Sequence, residues 1–189
     1  MSVAAVLLAA GLSRRFGTDD KLAMPLDGVP LGLHAARTLA GLPLDHRIVV
    51  TGPSPLDWPG FTPVTNDRPE QGMGHSLALG VGPARALGVS AVLVALADMP
   101  FVSSCHFALL LSCYRDPDSI ACSSDGKRRM PPALFGSRWF DALADLSGDT
   151  GARALLGKAQ PVIAGADELA DVDDRADFHA AAGRLKGNF

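Results

Sequence analysis

The sequence predicts a three-layer α/β fold, in which a mostly parallel mixed sheet of about seven strands is covered by helices on both faces. Three observations carry this expectation. Short apolar runs alternate with helical patterns along the whole chain. Val3–Leu8 and Ala91–Leu96 are continuous Val, Leu and Ala runs without polar alternation, as strands buried on both faces require. Finally, 189 residues with 48% hydrophobic and 20% charged side chains suffice for one sizeable core, so one domain over 1–189 is expected.

Val3–Leu8 opens the sheet, and the small residues Ala9, Ala10 and Gly11 after it let backbone amides approach a ligand closely. Leu22 to Pro25 reads as a short extended piece and Asp27-Gly28 as a turn. Pro30 starts a helix that carries Leu31, Ala35 and Leu39 on one face and ends near Gly41. His46–Thr51 is the second strand, Gly52-Pro53-Ser54-Pro55 with Pro59-Gly60 an irregular connection, and Phe61–Thr65 the third strand. Asn66 to Gly74 reads as a long polar turn before a helix over Ser76–Leu87, whose small residues suit close packing on a sheet. Ala91–Leu96 stops at Asp98, and Ser103 or Ser104 then caps a helix through Tyr114 with Phe107, Leu110 and Leu111 inward. Ser119–Cys122 and Pro132–Phe135 are the fifth and sixth strands, joined by a polar loop carrying Lys127, Arg128 and Arg129. Helices over Ser137–Leu146 and Gly151–Leu156, a strand over Pro161–Ala164 and a helix over Asp174–Leu185 complete the order.

Charge and cysteine usage narrow the function classes. With 17 Lys plus Arg against 20 Asp plus Glu the net charge is −3, which argues against nucleic acid or an acidic membrane surface as partner and leaves basic residues to act locally. The apolar Val3–Ala10 run is followed, not preceded, by Arg14-Arg15, the reverse of an export signal. No apolar run reaches the roughly 18–20 residues of a membrane span. Cys105, Cys113 and Cys122 are odd in number and show no CxxC spacing, as expected for reduced packing thiols of a cytoplasmic protein. His34, His46, His106 and His179 read as surface or strand-edge residues, and His75 alone lies in a candidate site.

The chemistry concentrates after the first strand. Ser13, Arg14, Arg15 and Lys21 place one hydroxyl and three cations in the stretch following Gly11, a composition suited to a polyanion. Two standard phosphate fingerprints are absent. Gly17 is followed by Thr18-Asp19-Asp20-Lys21 and Gly157-Lys158 by Ala159, so there is no Walker loop, and no GxGxxG follows the first strand. A nicotinamide dehydrogenase is thereby disfavoured.

Leu8-Ala9-Ala10-Gly11-x-Ser13-Arg14-x-x-Gly17 with Lys21 resembles the signature of nucleotidyltransferases built on the glycosyltransferase-A type of Rossmann-like fold. The match is closest to the molybdenum cofactor cytidylyltransferase and guanylyltransferase group. It continues through Asn66, Gly72-Met73-Gly74-His75-Ser76-Leu77, Leu96-Ala97-Asp98-Met99-Pro100, Pro132-Ala133-Leu134-Phe135, Gly148-Asp149-Thr150-Gly151-Ala152-Arg153 and Asp171-Val172-Asp173. The resemblance implies attack by a terminal phosphate of a molybdopterin-type acceptor on the α-phosphorus of a nucleoside triphosphate, with release of pyrophosphate and a molybdoenzyme as receiver of the product.

Roles follow from that resemblance. Arg14, Lys21 and Asp98 are the expected catalytic residues. Leu8, Ala9, Ala10, Gly11, Ser13, Arg14 and Lys21 would cradle the nucleotide phosphates, while Asn66, Gly74 and Ser76 would face the base. Asp98 ends a buried strand, where a hard cation such as Mg²⁺ would bridge it to triphosphate oxygens, and Asp173, ahead of Asp171, would supply the second carboxylate. An ionised phosphate is already a nucleophile, so no general base is needed. Ala10 resembles the cytidylyl branch, since the guanylyl branch usually has a second glycine there, and CTP is favoured over GTP. Arg129-Met130-Pro131 replaces an expected Gly-His-Pro, and Asp174-Arg175 an expected Thr-Pro. Guanylyl transfer, or an idle nucleotide-binding cofactor chaperone, are the alternatives; retention of Arg14, Lys21 and Asp98 speaks against the latter.

Overall fold

The computed structural model describes residues 1–17, 19–52, 56–148 and 152–186, except for the side chains of Arg14, Leu185 and Lys186. Its strands are β1 (Val3–Ala9), β2 (Pro25–Leu26), β3 (Val29–Pro30), β4 (His46–Thr51), β5 (Thr62–Thr65), β6 (Ala91–Leu96), β7 (Ile120–Ser124), β8 (Arg129–Gly136) and β9 (Gln160–Ile163). The helices are α1 (Leu31–Ala40), α2 (Gly72–Ala86), α3 (Ser104–Ser112), α4 (Phe140–Ala144), α5 (Arg153–Leu156) and α6 (Arg175–Lys186). Seven strands make one sheet in the order β5-β4-β1-β6-β8-β7-β9. Only β8 runs antiparallel to its neighbours, so the expected mostly parallel mixed sheet is what the chain forms. No helix among the described residues is long and apolar enough to cross a membrane.

Alternation along β1 explains the three layers. Val3, Ala5, Leu7 and Ala9 point to the face covered by α1, α3 and α6, where Leu31, Leu39, Phe107, Leu110 and Phe178 pack. Ala4, Val6, Leu8 and Ala10 point to the opposite face, under Leu77 and Val81 of α2 and Phe140 and Leu143 of α4. Because both faces are covered, every residue of β1 must be apolar, which is why the run shows no polar alternation. Gly80 brings α2 against the sheet: a methyl group there would run into Val6 and Val50.

The order of connections places the ligand edge. From β1 the chain moves outward through β4 to β5, then returns across β1 to β6 on its other side. The sheet order therefore reverses between β1 and β6, and in open α/β sheets ligands sit in the crevice beyond the strand ends at such a reversal. Leu8 pairs with Leu96, and Ala97 N–H donates to the Leu8 carbonyl at 3.0 Å. Ala10 and Asp98 thus emerge side by side.

Several boundaries differ from the sequence expectation. The extended piece at Leu22 to Pro25 is instead a helical turn over Lys21–Ala23, started by the Asp20 carboxylate accepting from Leu22 N–H at 3.0 Å, followed by the β2–β3 hairpin. Asp27 and Gly28, with φ of 51° and 74°, make its tight turn as expected. The α2 helix begins at Gly72 rather than Ser76, because tertiary contact overrides the turn preference of Gly72 and Gly74: Gly74 N–H donates to the Gly148 carbonyl at 2.9 Å. Arg129 belongs to β8, not to the preceding loop. Ser103 is the α3 cap, its Oγ accepting from His106 N–H at 3.1 Å.

His106 and Cys105 also exchange the surroundings expected of them. His106 is buried rather than at the surface, 2.7 Å from Ser123 Oγ, and Cys105 is exposed rather than packed. Asp149, Thr150 and Gly151 lie outside the described residues.

Candidate active site

A cleft of about 520 Å³ opens at the carboxyl ends of β1 and β6. Its floor is Leu8, Ala10 and Leu96, and the loop after β1 forms one wall with Gly11 and Ser13. That loop turns sharply. Ser13 takes a left-handed conformation (φ 47°), Phe16 N–H closes a helical turn onto the Ser13 carbonyl at 2.8 Å, and Gly17 follows at φ 79°. Phe16 is fully buried and anchors the turn from below by an edge-on contact with Phe178 of α6, the ring centroids 6.3 Å apart.

Lys21 crosses beneath this loop and is 8% exposed, so its ammonium must be paired to be buried. Its Nζ donates to Asp98 Oδ2 at 2.8 Å and to the Val172 carbonyl at 2.6 Å, and lies 4.0 Å from Asp173 Oδ1. The segment 171–173 is held onto the end of β6 by Val172 N–H donating to the Asp98 carbonyl at 2.9 Å. Arg15 closes the group from the solvent side, 3.1 Å from Asp173 Oδ2. Two carboxylates from strand-end segments 75 residues apart therefore share one buried cation, and both line the cleft. Among the described residues no cluster of three or more His, Cys, Asp or Glu side chains is gathered for a metal.

Ser76 lies in the opposite wall with its hydroxyl already oriented. Asn66 Nδ2 donates to Ser76 Oγ at 2.9 Å, while Asn66 Oδ1 accepts from Arg68 N–H at 2.9 Å. Since Ser76 Oγ accepts from the amide, its own proton is available for the cleft. Asn66 itself stands behind Ser76, 1% exposed and outside the cleft wall. Gly74 is likewise spent on packing, since a Cβ there would meet the Ser147 backbone at 2.9 Å. Ala9 points into the core on the α1 side of the sheet. The Arg14 side chain lies outside the described residues.

A second cavity, of about 540 Å³, adjoins the first and shares Leu8, Met73 and Leu96 with it. Its walls are apolar, with Val94, Met99, Phe135 and Leu156, whereas Arg128, Arg129 and Arg153 supply positive charge and Asp125, Asp171 and Asp177 negative charge. Asp125 shapes the basic turn: backbone N–H groups of Arg128 and Lys127 donate to its carboxylate at 2.7 and 2.8 Å and hold it below the usual carboxylate range. Arg129 is aimed by its bond to the Gly157 carbonyl at 2.5 Å. Asp171 lines this second cavity rather than the first. Burial pushes its carboxyl up, and the nearby charges of Asp173 and Asp98 push it the same way.

The fold thus brings Leu8, Ala10, Gly11, Ser13, Lys21, Ser76, Asp98 and Asp173 to one cleft from four separate stretches of sequence. Sequence reasoning missed Glu70 and Met73 in the same cleft, Arg15 as a partner of Asp173, and Arg153 in the second cavity. The signal for Met73 was an apolar residue set between two glycines in a polar turn, and the structure leaves it 42% exposed.

Known proteins share this fold and much of this sequence. A family model described as the MobA-like NTP transferase domain matches residues 5–162. The purine catabolism protein PucB of Bacillus subtilis (strain 168) is 36% identical over 192 residues, covering 92% of each chain. Among solved structures, Rv0371c from Mycobacterium tuberculosis H37Rv has a TM-score of 0.84 at 22% identity, covering 97% of this chain and 98% of that one. The manganese complex of Rv0371c has a TM-score of 0.77 at 18% identity, covering 97% of this chain and 99% of that one. A nucleotidyl transferase from Methanothermobacter has a TM-score of 0.81 at 23% identity, covering 99% of both chains. With its nucleotidyltransferase-like fold and a family match spanning most of its length, the chain belongs to the MobA-like NTP transferases.

Proposed function

We propose that the chain moves CMP from CTP onto the terminal phosphate of a molybdopterin-type acceptor, with Mg²⁺ as its metal, and releases pyrophosphate. The observation that carries this reading is the junction of the two cavities at Leu8, Met73 and Leu96, beside the Lys21–Asp98 pair. One cavity has the loop, cation and carboxylates suited to a triphosphate. The other combines apolar walls with Arg128, Arg129 and Arg153 beside Asp125, Asp171 and Asp177, and its apolar walls and arginines suit a ring system bearing phosphate.

In this transfer an acceptor phosphate oxygen bonds to the α-phosphorus while the bond from that phosphorus to the bridging oxygen of the β-phosphate breaks. The nucleophile is already anionic, so the chain's contribution is positioning and charge neutralisation. Lys21 and Arg14 offset charge on the transferring and departing phosphates, and the amides of Ala10 and Gly11 hold the chain of phosphates in line. The Ser76 hydroxyl donates to an acceptor atom on the base. Asp98 and Asp173 fit a hard divalent cation, since both are carboxylates, both border the open cleft, and phosphate oxygens would complete the set. Bound there, Mg²⁺ supplies charge neutralisation of the triphosphate. The manganese complex of Rv0371c supports a divalent cation in this fold.

Ala10 supports CTP through its likeness to the cytidylyl branch. Three free thiols suit a cytoplasmic enzyme that passes its product to a molybdoenzyme. The experiment is pyrophosphate release with CTP, GTP and ATP, each with Mg²⁺ and molybdopterin-type acceptor. Release with CTP is expected to exceed that with the others; release with GTP alone, or with none, overturns the assignment.

A further inference from the structure

We propose that Arg175 is a positioning residue for nucleotide binding, latching the phosphate loop to the first turn of α6. Its Nη2 donates to Asp19 Oδ2 at 2.6 Å and to the Phe16 carbonyl at 3.3 Å, and its guanidinium carbon lies 6.0 Å from the centre of the Phe16 ring. Its two bonds join both flanks of Gly17, the glycine at φ 79° where the loop reverses. The bond to Phe16 holds the end of the Ser13–Phe16 turn, and the bond to Asp19 holds the chain as it descends to Lys21.

The backbone that carries the guanidinium is held in place. Asp174 Oδ1 accepts from Ala176 N–H at 2.8 Å and Asp177 N–H at 3.0 Å, while Asp177 Oδ2 accepts from Asp173 N–H at 3.0 Å and Asp174 N–H at 3.2 Å. This reciprocal cap satisfies the free N–H groups of the first turn of α6 and so fixes the backbone position from which Arg175 starts. Phe16 on Phe178 and Arg15 on Asp173 are further contacts between the same two segments. The loop carries a left-handed Ser13, a conformation that persists only when its surroundings over-determine it. Arg175 and Asp174 are also the positions where this chain departs from the Thr-Pro of the family pattern, and a proline at 175 would have no latch to offer.

The loop conformation that presents the Ala10 and Gly11 amides is then one state of an equilibrium, and apparent nucleotide affinity scales with its population. The pair is half-exposed on both sides, 54% for each side chain, so each bond is worth little alone and the expected effect is modest. Arg175→Gln should raise the dissociation constant and KM for Mg²⁺-bound nucleotide about five-fold, with kcat unchanged. The charge swap Asp19→Arg with Arg175→Asp should recover most of the loss.

This inference rests on the proposed nucleotide site, and the test separates the two. Nucleotide affinity is measured with CTP and GTP, and amide hydrogen exchange over 13–17 is measured on the free protein. Faster exchange in Arg175→Gln, but not in Arg184→Gln on the same helix, supports the latch whatever the nucleotide result. Unchanged exchange in Arg175→Gln overturns it, as does a swap that restores neither exchange nor affinity. A wild-type protein that binds neither nucleotide overturns the transferase reading, and the exchange result alone then decides the latch.

Discussion

The Lys21 ammonium and the Asp98 carboxylate lie 2.8 Å apart at the point where the sheet order reverses, and the lysine is almost wholly buried. A buried ammonium held by one carboxylate and one carbonyl is fixed in place beside the loop that follows β1.

Asp98→Asn is expected to keep the lysine's neighbour in size while removing its charge. Thermal stabilisation of the wild-type protein by CTP should increase when Mg²⁺ is added, and this increment should vanish in the variant. Pyrophosphate release should fall by about 100-fold or more. A variant that keeps the Mg²⁺ increment would dismiss Asp98 as a metal ligand.

Asn66→Asp tests the direction of the Ser76 proton. In the native protein the amide donates to Ser76 Oγ. A carboxylate cannot donate, so the hydroxyl would turn to it and be lost to the cleft. KM for the nucleotide should rise, with Arg68 N–H still satisfied and the fold retained; an unchanged KM would show that Ser76 donates nothing to the base.

Three glycines of α2 should respond unequally to alanine. A Cβ at Gly74 would lie 2.9 Å from backbone atoms of Ser147, which cannot yield cheaply, and one at Gly80 would run into Val6 and Val50. Each substitution should cost about 1–3 kcal/mol. No atom of another segment lies within 4 Å of a Cβ at Gly82, but this residue precedes Pro83, whose ring crowds a Cβ on helical backbone, so Gly82→Ala should leave stability within about 1 kcal/mol of the wild-type protein. Urea unfolding of the three variants ranks these costs.

His106 makes stability depend on pH. Burial holds its imidazole below the usual range, with Glu168 pulling weakly the other way. Ser123 Oγ donates to the Pro132 carbonyl at 2.9 Å, so the ring donates its Nε2 proton to Ser123 and sits neutral. As pH falls below about 6.5 the unfolded chain takes up a proton before the folded one does, and stability declines until the folded-state value is reached. His106→Gln keeps a donor for Ser123 and removes the titration. Its stability should therefore change less between pH 7 and pH 5 than that of the wild-type protein in denaturant unfolding.

Much of the site was legible because its parts follow sequence-local rules. Gly11 and the cations after it sit at a strand end, and Asp98 ends the most apolar run in the chain. Arg15 was legible only as a cation, because its partner Asp173 is 158 residues away. Asn66 shows the same limit from the other side. The family resemblance placed it against the base, whereas burial makes it the support of Ser76.

By itself, then, the sequence determined the layers of this protein and the chemistry present at each strand end, since apolar period and turn composition act over a few residues. Tertiary structure alone decided how those ends meet. It paired Lys21 with Asp98, assigned Asp173 to the first cleft and Asp171 to the second cavity, and brought Arg175 onto the loop after β1. The reason is physical: a buried charge must find its partner wherever the packing of distant segments supplies one, and no local pattern records that distance.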